Sequence, residues 1–250
     1  MTSSAKRFAE KNVPAERQLN DYIITEEKIM KKNLTEIVFV LDRSGSMSGL
    51  EKDTIGGFNS MLEKQKQENG EAVISTVLFD NTVEMLHDRL DIREVEKLTE
   101  NDYYVRGCTA LLDALGSSIT HIEDVHRRMA DTECPEKTIF IITTDGMENA
   151  SKEYTYAAIK KLVSKKQERD GWEFLFLGAN IDAISAGNDL GIKAGRSVNY
   201  KCDSMGTAVN FCALSNAVSK FRRCSSKMKE EALADWDAEI KADYKKRGGK

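Results

Sequence analysis

Three stretches of this chain are apolar at nearly every position: Ile37-Val38-Phe39-Val40-Leu41, Thr138–Thr144 and Trp172–Leu177. A strand with one face in water alternates apolar and polar side chains, so a strand apolar throughout must be covered on both faces. Helices packed above and below a parallel sheet provide that cover. Stripes of helical period lie between and after the strands. They are Ile55, Phe58 and Leu62; then Leu112, Leu115, Ile119, Ile122 and Met129; then Phe211, Leu214, Val218, Phe221, Cys224 and Met228. The alternation predicts an α/β fold: a doubly wound, mostly parallel sheet with helices on both faces. Ala72–Phe79, the turn Asp80-Asn81 and the run Val83–His87 add one short antiparallel edge strand.

The remaining segments are read in the same way. Residues 1–33 are charged and mixed, with Leu19, Tyr22 and Ile23 at helical spacing, and predict an N-terminal helical extension. Ser48 precedes Glu51 by three, the spacing of a capping box that would open the helix ending near Asn69-Gly70. Gly56-Gly57 weakens that helix by about 1 kcal/mol per glycine relative to alanine, which implies close packing against the strand layer. Ile92, Val95 and Leu98 suggest a short helix within an otherwise polar stretch. Tyr156–Arg169 and Asn180–Leu190 read as helices, and Ser197–Tyr200 as a last strand. The organisation expected is an extension over 1–33, one domain over 34–200, and over 201–250 a helix packed on that domain plus a charged, solvated tail.

Composition narrows the function. With 37 Lys+Arg against 41 Asp+Glu the net charge is −4, which argues against a nucleic-acid partner. No apolar run approaches the roughly 20 residues of a membrane span, and the first residues lack a signal peptide's apolar core. Five cysteines, an odd number without C-x-x-C spacing, fit a reducing compartment, so a cytoplasmic protein is expected. His87, His121 and His126 show no ligand spacing. The residues carry no signal for an oligomeric state.

Two of the apolar strands run straight into polar clusters. Asp42-Arg43-Ser44-Gly45-Ser46 follows the first, and Asp145-Gly146 follows Thr138–Thr144. Thr109 opens the long helix between them. In open α/β sheets ligands bind beyond the carboxyl ends of the strands, where these residues fall. Residues i, i+2 and i+4 of an extended loop point to one side, so Asp42, Ser44 and Ser46 converge. Thr109 and Asp145 bring further oxygens from other loops. Carboxylate and hydroxyl donors suit a hard cation, Mg2+ with Mn2+ or Ca2+ as alternatives, and not zinc or copper.

The order of these motifs resembles a known family. D-x-S-x-S after an apolar strand, then Gly107-Cys108-Thr109-Ala110-Leu111-Leu112-Asp113-Ala114, then a strand ending Thr144-Asp145-Gly146, is the order seen in von Willebrand factor type A (VWA) domains. The resemblance covers about residues 34–200. It implies a Rossmann-like fold with a metal-ion-dependent adhesion site, in which Asp42, Ser44, Ser46, Thr109 and Asp145 hold Mg2+ directly or through water. It further implies a protein partner whose Asp or Glu completes the coordination, and the absence of a secretory leader matches the family's intracellular microbial members. The chain is therefore expected to be a metal-dependent protein-binding module and not an enzyme.

Two other functions compete with this expectation. One is a metal-dependent phosphatase or hydrolase using Asp42, but Asp42-Arg43-Ser44 lacks the second carboxylate of a D-x-D motif. The other is a scaffold acting through its helical extensions. Asp113 has two equal readings, near the site or on the helix surface, and Arg43 is open between an acidic partner and solvent. Asp80, Glu148 and Asn149 are read first as ordinary turn residues, with a place on the site's rim as the alternative.

Overall fold

Residues 30–249 are described in the computed structural model of the chain. The helix expected around Leu19, Tyr22 and Ile23 lies outside the described residues. Six strands form one sheet: β1 Lys31–Asp42, β2 Glu71–Phe79, β3 Val83–Asp91, β4 Pro135–Thr144, β5 Glu173–Ala179 and β6 Ser197–Tyr200. The helices are α1 Glu51–Lys66, α2 Leu111–Arg128, α3 Tyr156–Arg169, α4 Ala183–Asp189, α5 Ser204–Arg223, α6 Lys229–Ala232 and α7 Ala238–Lys246. The strand order is β3-β2-β1-β4-β5-β6. All pairings are parallel except β2 with β3. This is the expected α/β class with its antiparallel edge strand.

Period-two alternation along β1 builds both layers. Ile37, Phe39 and Leu41 face one core with Phe58 and Leu62 of α1 and Leu214, Val218 and Phe221 of α5. Val38 and Val40 face the other with Leu115 and Ile119 of α2 and Ile159 and Val163 of α3. From β1 the chain moves outward through β2 and β3, then returns to β4 on the opposite side of β1. The carboxyl ends of β1 and β4 therefore flank the point where the winding reverses.

Several local expectations are corrected. Ile92, Val95 and Leu98 are buried, but no helix forms there. The side-chain amide of α1 Asn59 takes over the backbone pairing, donating to Leu98 O and accepting from Leu98 N at 2.9 and 2.8 Å. The Ser48–Glu51 capping box does not form. The side chain of Glu51 accepts from Gly49 N, and Ser48 closes a short turn over Gly45–Met47. The last apolar stripe breaks at Cys224, because the buried Lys137 ammonium donates to the carbonyls of Phe221, Arg222 and Cys224 and ends α5 there. Met228 is consequently 47% exposed. Beyond it Leu233, Trp236 and Ile240 return to the core. The tail is held as far as Arg247, which bonds to Asp203 and Asp243.

Gly57 packs against α5 and not against the strands: a Cβ there would lie 2.2 Å from the Phe211 ring, whereas Gly56 faces open space. Gly57→Ala should lower stability by about 1–3 kcal/mol by overpacking. Gly56→Ala should raise it by roughly 0.5–1 kcal/mol through helix propensity. Denaturant midpoints of the two variants check the pair. Between α2 and α3, Glu123 accepts from Lys165 at 2.8 Å and lies 2.9 Å from Lys166, which hold its carboxyl down to about 2. A depressed carboxylate stabilises above its ordinary range and loses that contribution as it protonates. Glu123→Gln should therefore cost on the order of 1 kcal/mol at neutral pH. In denaturation curves the difference from wild type should shrink as pH falls from 4.5 towards 2.

Candidate metal-binding site

Asp42 is the last residue of β1 and Asp145 the first after β4, so two adjacent central strands deliver a carboxylate to the same end of the sheet. Ser44 and Ser46 lie on the turn after β1, and Thr109 lies just ahead of α2. The fold brings all five predicted residues together. Thr109 Oγ1 donates to Ser44 Oγ at 3.1 Å, Ser44 Oγ and Ser46 Oγ are hydrogen-bonded at 3.1 Å, and Ser46 Oγ donates to Asp145 Oδ1 at 2.5 Å. Asp42 joins them by accepting from Ser44 N at 2.7 Å through Oδ1 and from Thr144 Oγ1 at 2.6 Å through Oδ2. Asp42, Ser44, Thr109 and Asp145 are buried, and Ser46 is exposed. The set thus opens to solvent on the Ser46 side.

Burial pushes the Asp42 carboxyl up to about 6; the Thr144 hydroxyl and Ser44 hold it down in part, and the neighbouring Asp145 charge pushes it further up. Among the described residues neither Asp42 nor Asp145 is ion-paired with a Lys, Arg or His. The donor set fits a hard divalent cation. An octahedron with metal–oxygen bonds of about 2.1 Å has edges of roughly 2.9–3.0 Å. The contacts of 2.5, 3.1 and 3.1 Å are hydrogen bonds between these oxygens, so the donors already lie about one such edge apart before any cation is bound. One softer atom stands beside the oxygens: Cys202 Sγ donates to Asp145 Oδ2 at 3.4 Å.

The loops that carry these residues are braced to one another. The segment after residue 102 runs alongside the Asp42–Ser46 turn. The buried Tyr103 hydroxyl donates to Asp42 O, Arg106 N to Arg43 O at 2.9 Å, and Gly45 N to Gly107 O at 3.1 Å. Gly107 has φ of 67°, and a Cβ there would sit 1.9 Å from Asn81 Oδ1, so a larger residue would strain the backbone and push the Asn81 side chain aside. Asp80 ties a third loop in. Its Oδ2 accepts from Arg43 Nε at 2.9 Å and Arg106 Nε at 2.8 Å, while its carbonyl accepts from Ala110 N. Arg43 is wholly buried, so the choice between partner and solvent resolves as neither: its guanidinium is used internally, on Asp80 and Glu84.

Asp80, Glu148 and Asn149 do more than turn the chain. Asn149 exchanges hydrogen bonds with the Thr109 backbone, and Glu148 accepts from Leu112 N in the first turn of α2 and from Ser151 N. Asp113 faces away from the oxygens, accepting from the backbone of Lys152, Glu153 and Tyr154. Sequence reasoning passed over Tyr103, Thr144 and Arg106. Thr144 had a signal, as the hydroxyl beside Asp145, whereas Tyr103 sits in a polar stretch with none.

No protein-family model and no curated protein matches the chain. Solved structures do share its fold. The pilus adhesin SpaC of Lactobacillus rhamnosus GG overlaps with a TM-score of 0.57 at 12% identity, over 76% of this chain and 31% of that one. The minor pilin PilB of Streptococcus sanguinis overlaps at 0.51 with 12% identity, over 80% of this chain and 62% of that one. The manganese-loaded TRAP protein of Plasmodium vivax overlaps at 0.50 with 16% identity, over 73% of this chain and 72% of that one. The chain thus spans less than two thirds of SpaC and of PilB. Identities this low speak to architecture alone: the protein has a mostly parallel, Rossmann-like α/β fold with one antiparallel edge strand.

Thr144→Val keeps the side chain's shape and removes the donor to Asp42 Oδ2. It should cost about 1–3 kcal/mol in cation-free buffer at pH 7, because a buried carboxylate oxygen loses its partner. Chemical denaturation of the variant beside wild type measures this.

Proposed function

We propose that the chain is a divalent-metal-dependent protein-binding module. In this reading Asp42, Ser44, Ser46, Thr109 and Asp145 hold Mg2+ directly or through water, with Mn2+ or Ca2+ as alternatives, and an Asp or Glu of a partner protein completes the sphere. The observation that supports it most is the run of oxygen contacts from Thr109 through Ser44 and Ser46 to Asp145, open at Ser46. When bound, the cation supplies the positive charge that two buried carboxylates otherwise lack and that a partner's carboxylate seeks. A manganese-loaded protein among the fold neighbours is in keeping with this.

The chain's own residues then divide the work. Asp42 and Asp145 give charge, the three hydroxyls give neutral donors, and Thr144 and Tyr103 hold Asp42 in place. Binding without turnover is proposed because position 44 is a serine, where a D-x-D phosphatase has its second carboxylate. The apolar stripe of α5 is spent on the core at Leu214, Val218 and Phe221, which leaves the scaffold alternative without that face. Action in the cytoplasm belongs to the same proposal. Among the described residues, no helix is long and apolar enough to cross a membrane.

Two measurements test the proposal. Mg2+ or Mn2+ at about a hundred times its Kd should stabilise the folded chain by roughly 2.7 kcal/mol. For a chain of this size that is about 5–10 °C in thermal midpoint. Asp42→Ala, checked for fold by circular dichroism, should show no such shift. In random-peptide display on the intact chain, peptides retained in Mg2+ and released by chelator should carry Asp or Glu. Retention that ignores chelator, or is unchanged in a folded Asp42→Ala, contradicts the reading.

A further inference from the structure

Arg106 stands out beside the site as a half-exposed guanidinium that is nevertheless fixed. Its side chain is 46% exposed, yet Nε donates to Asp80 Oδ2 at 2.8 Å and Nη1 to Tyr104 OH at 3.1 Å. The guanidinium carbon also lies 5.2 Å from the centre of the Tyr104 ring, within cation–π reach. Its backbone N–H is bonded to Arg43 O, within the turn that carries Ser44 and Ser46. Nη2 donates to nothing among the described residues. A guanidinium already held by two partners loses little side-chain freedom on gaining a third, which makes it a better anion receptor than a free surface arginine.

The local charges favour that use. Arg43 and Arg106 share Asp80, and Arg43 also meets Glu84 at 2.7 Å, so two cations balance two anions. With a divalent ion on Asp42 and Asp145, no excess negative charge remains to repel a second carboxylate. Arg106 is three residues from Thr109, so their Cα atoms are at most about 11 Å apart. Two acidic side chains within about four positions on an extended peptide, at roughly 3.3 Å per residue, span that distance. We infer that Arg106 is a second anchor on the partner-binding surface, and that the partner is a segment with two acidic residues, one for the cation and one for this guanidinium. This rests on the metal-dependent binding proposed above.

Peptide display with a random unphosphorylated library, run in Mg2+ on the intact chain, on Arg106→Gln and on Asp42→Ala, tests it. Wild type should enrich peptides with two acidic residues within four positions. Arg106→Gln should enrich peptides with one, and should bind the two-acid peptides about tenfold more weakly. Arg106→Lys should fall between, since an ammonium lacks the planar fork. One-acid peptides from wild type, or identical selections on wild type and Arg106→Gln, overturn the inference while leaving the metal-dependent module intact. Loss of the cation-induced thermal shift in Arg106→Gln overturns it too, because the side chain would then act through the oxygen cage. If wild type retains nothing in Mg2+ beyond what it retains in chelator, the module reading fails and this inference with it.

Discussion

The hydroxyl of Thr144 on the carboxylate of Asp42 joins the ends of the two central strands, and the rest of the candidate site is placed from there. Both groups are fully buried, so the bond at 2.6 Å is made where an unpaired carboxylate would be expensive. It fixes β1 against β4 at the point where the winding reverses. Asp145, one residue beyond Thr144, is thereby aimed at the same space. A hydrophobic sheet would not choose to end two neighbouring central strands in carboxylates. That these two do, with neither ion-paired among the described residues, is the physical reason to look for an external positive charge.

Rigidity of the surrounding loops comes from a second buried arrangement. Asp80 gathers Arg43 and Arg106, and through them the turn after β1, the β2–β3 turn and the segment leading into α2. Arg43 sits between two candidate ligands in sequence, yet its side chain pairs with Asp80 and Glu84 instead. Removing Asp80 would strand the buried Arg43 guanidinium in the interior, at a cost of about 3–5 kcal/mol. The loops that would hold a cation are thus preorganised by charges that never touch it.

The architecture was legible because burial on both faces writes itself into sequence as unbroken apolar runs. Ile37–Leu41 and Thr138–Thr144 could be little else than central strands, and the residues directly after them had to lie at one end of the sheet. Asp42, Ser44, Ser46 and Asp145 were nameable for that reason, and Thr109 as the residue that opens the long helix between them, in a motif order that resembles VWA domains. Tertiary substitution was not legible. Asn59 satisfies the backbone at Leu98 in place of the helix that Ile92, Val95 and Leu98 suggested, and Lys137 of β4 ends α5 from the strand beneath it. Both act over long sequence separations, where periodicity carries no information. The ion clusters escaped for the same reason, since nothing local pairs Arg43 with Asp80.

The central claim is that the five oxygen-bearing residues form a cation site, and locating the ion tests it most directly. Crystals of the intact chain grown with Mn2+ should give one strong anomalous peak among Asp42, Ser44, Ser46, Thr109 and Asp145, absent from crystals of Asp42→Ala. A map with no peak there, at a Mn2+ concentration that saturates the protein in solution, or with its peak elsewhere on the molecule, would contradict the account.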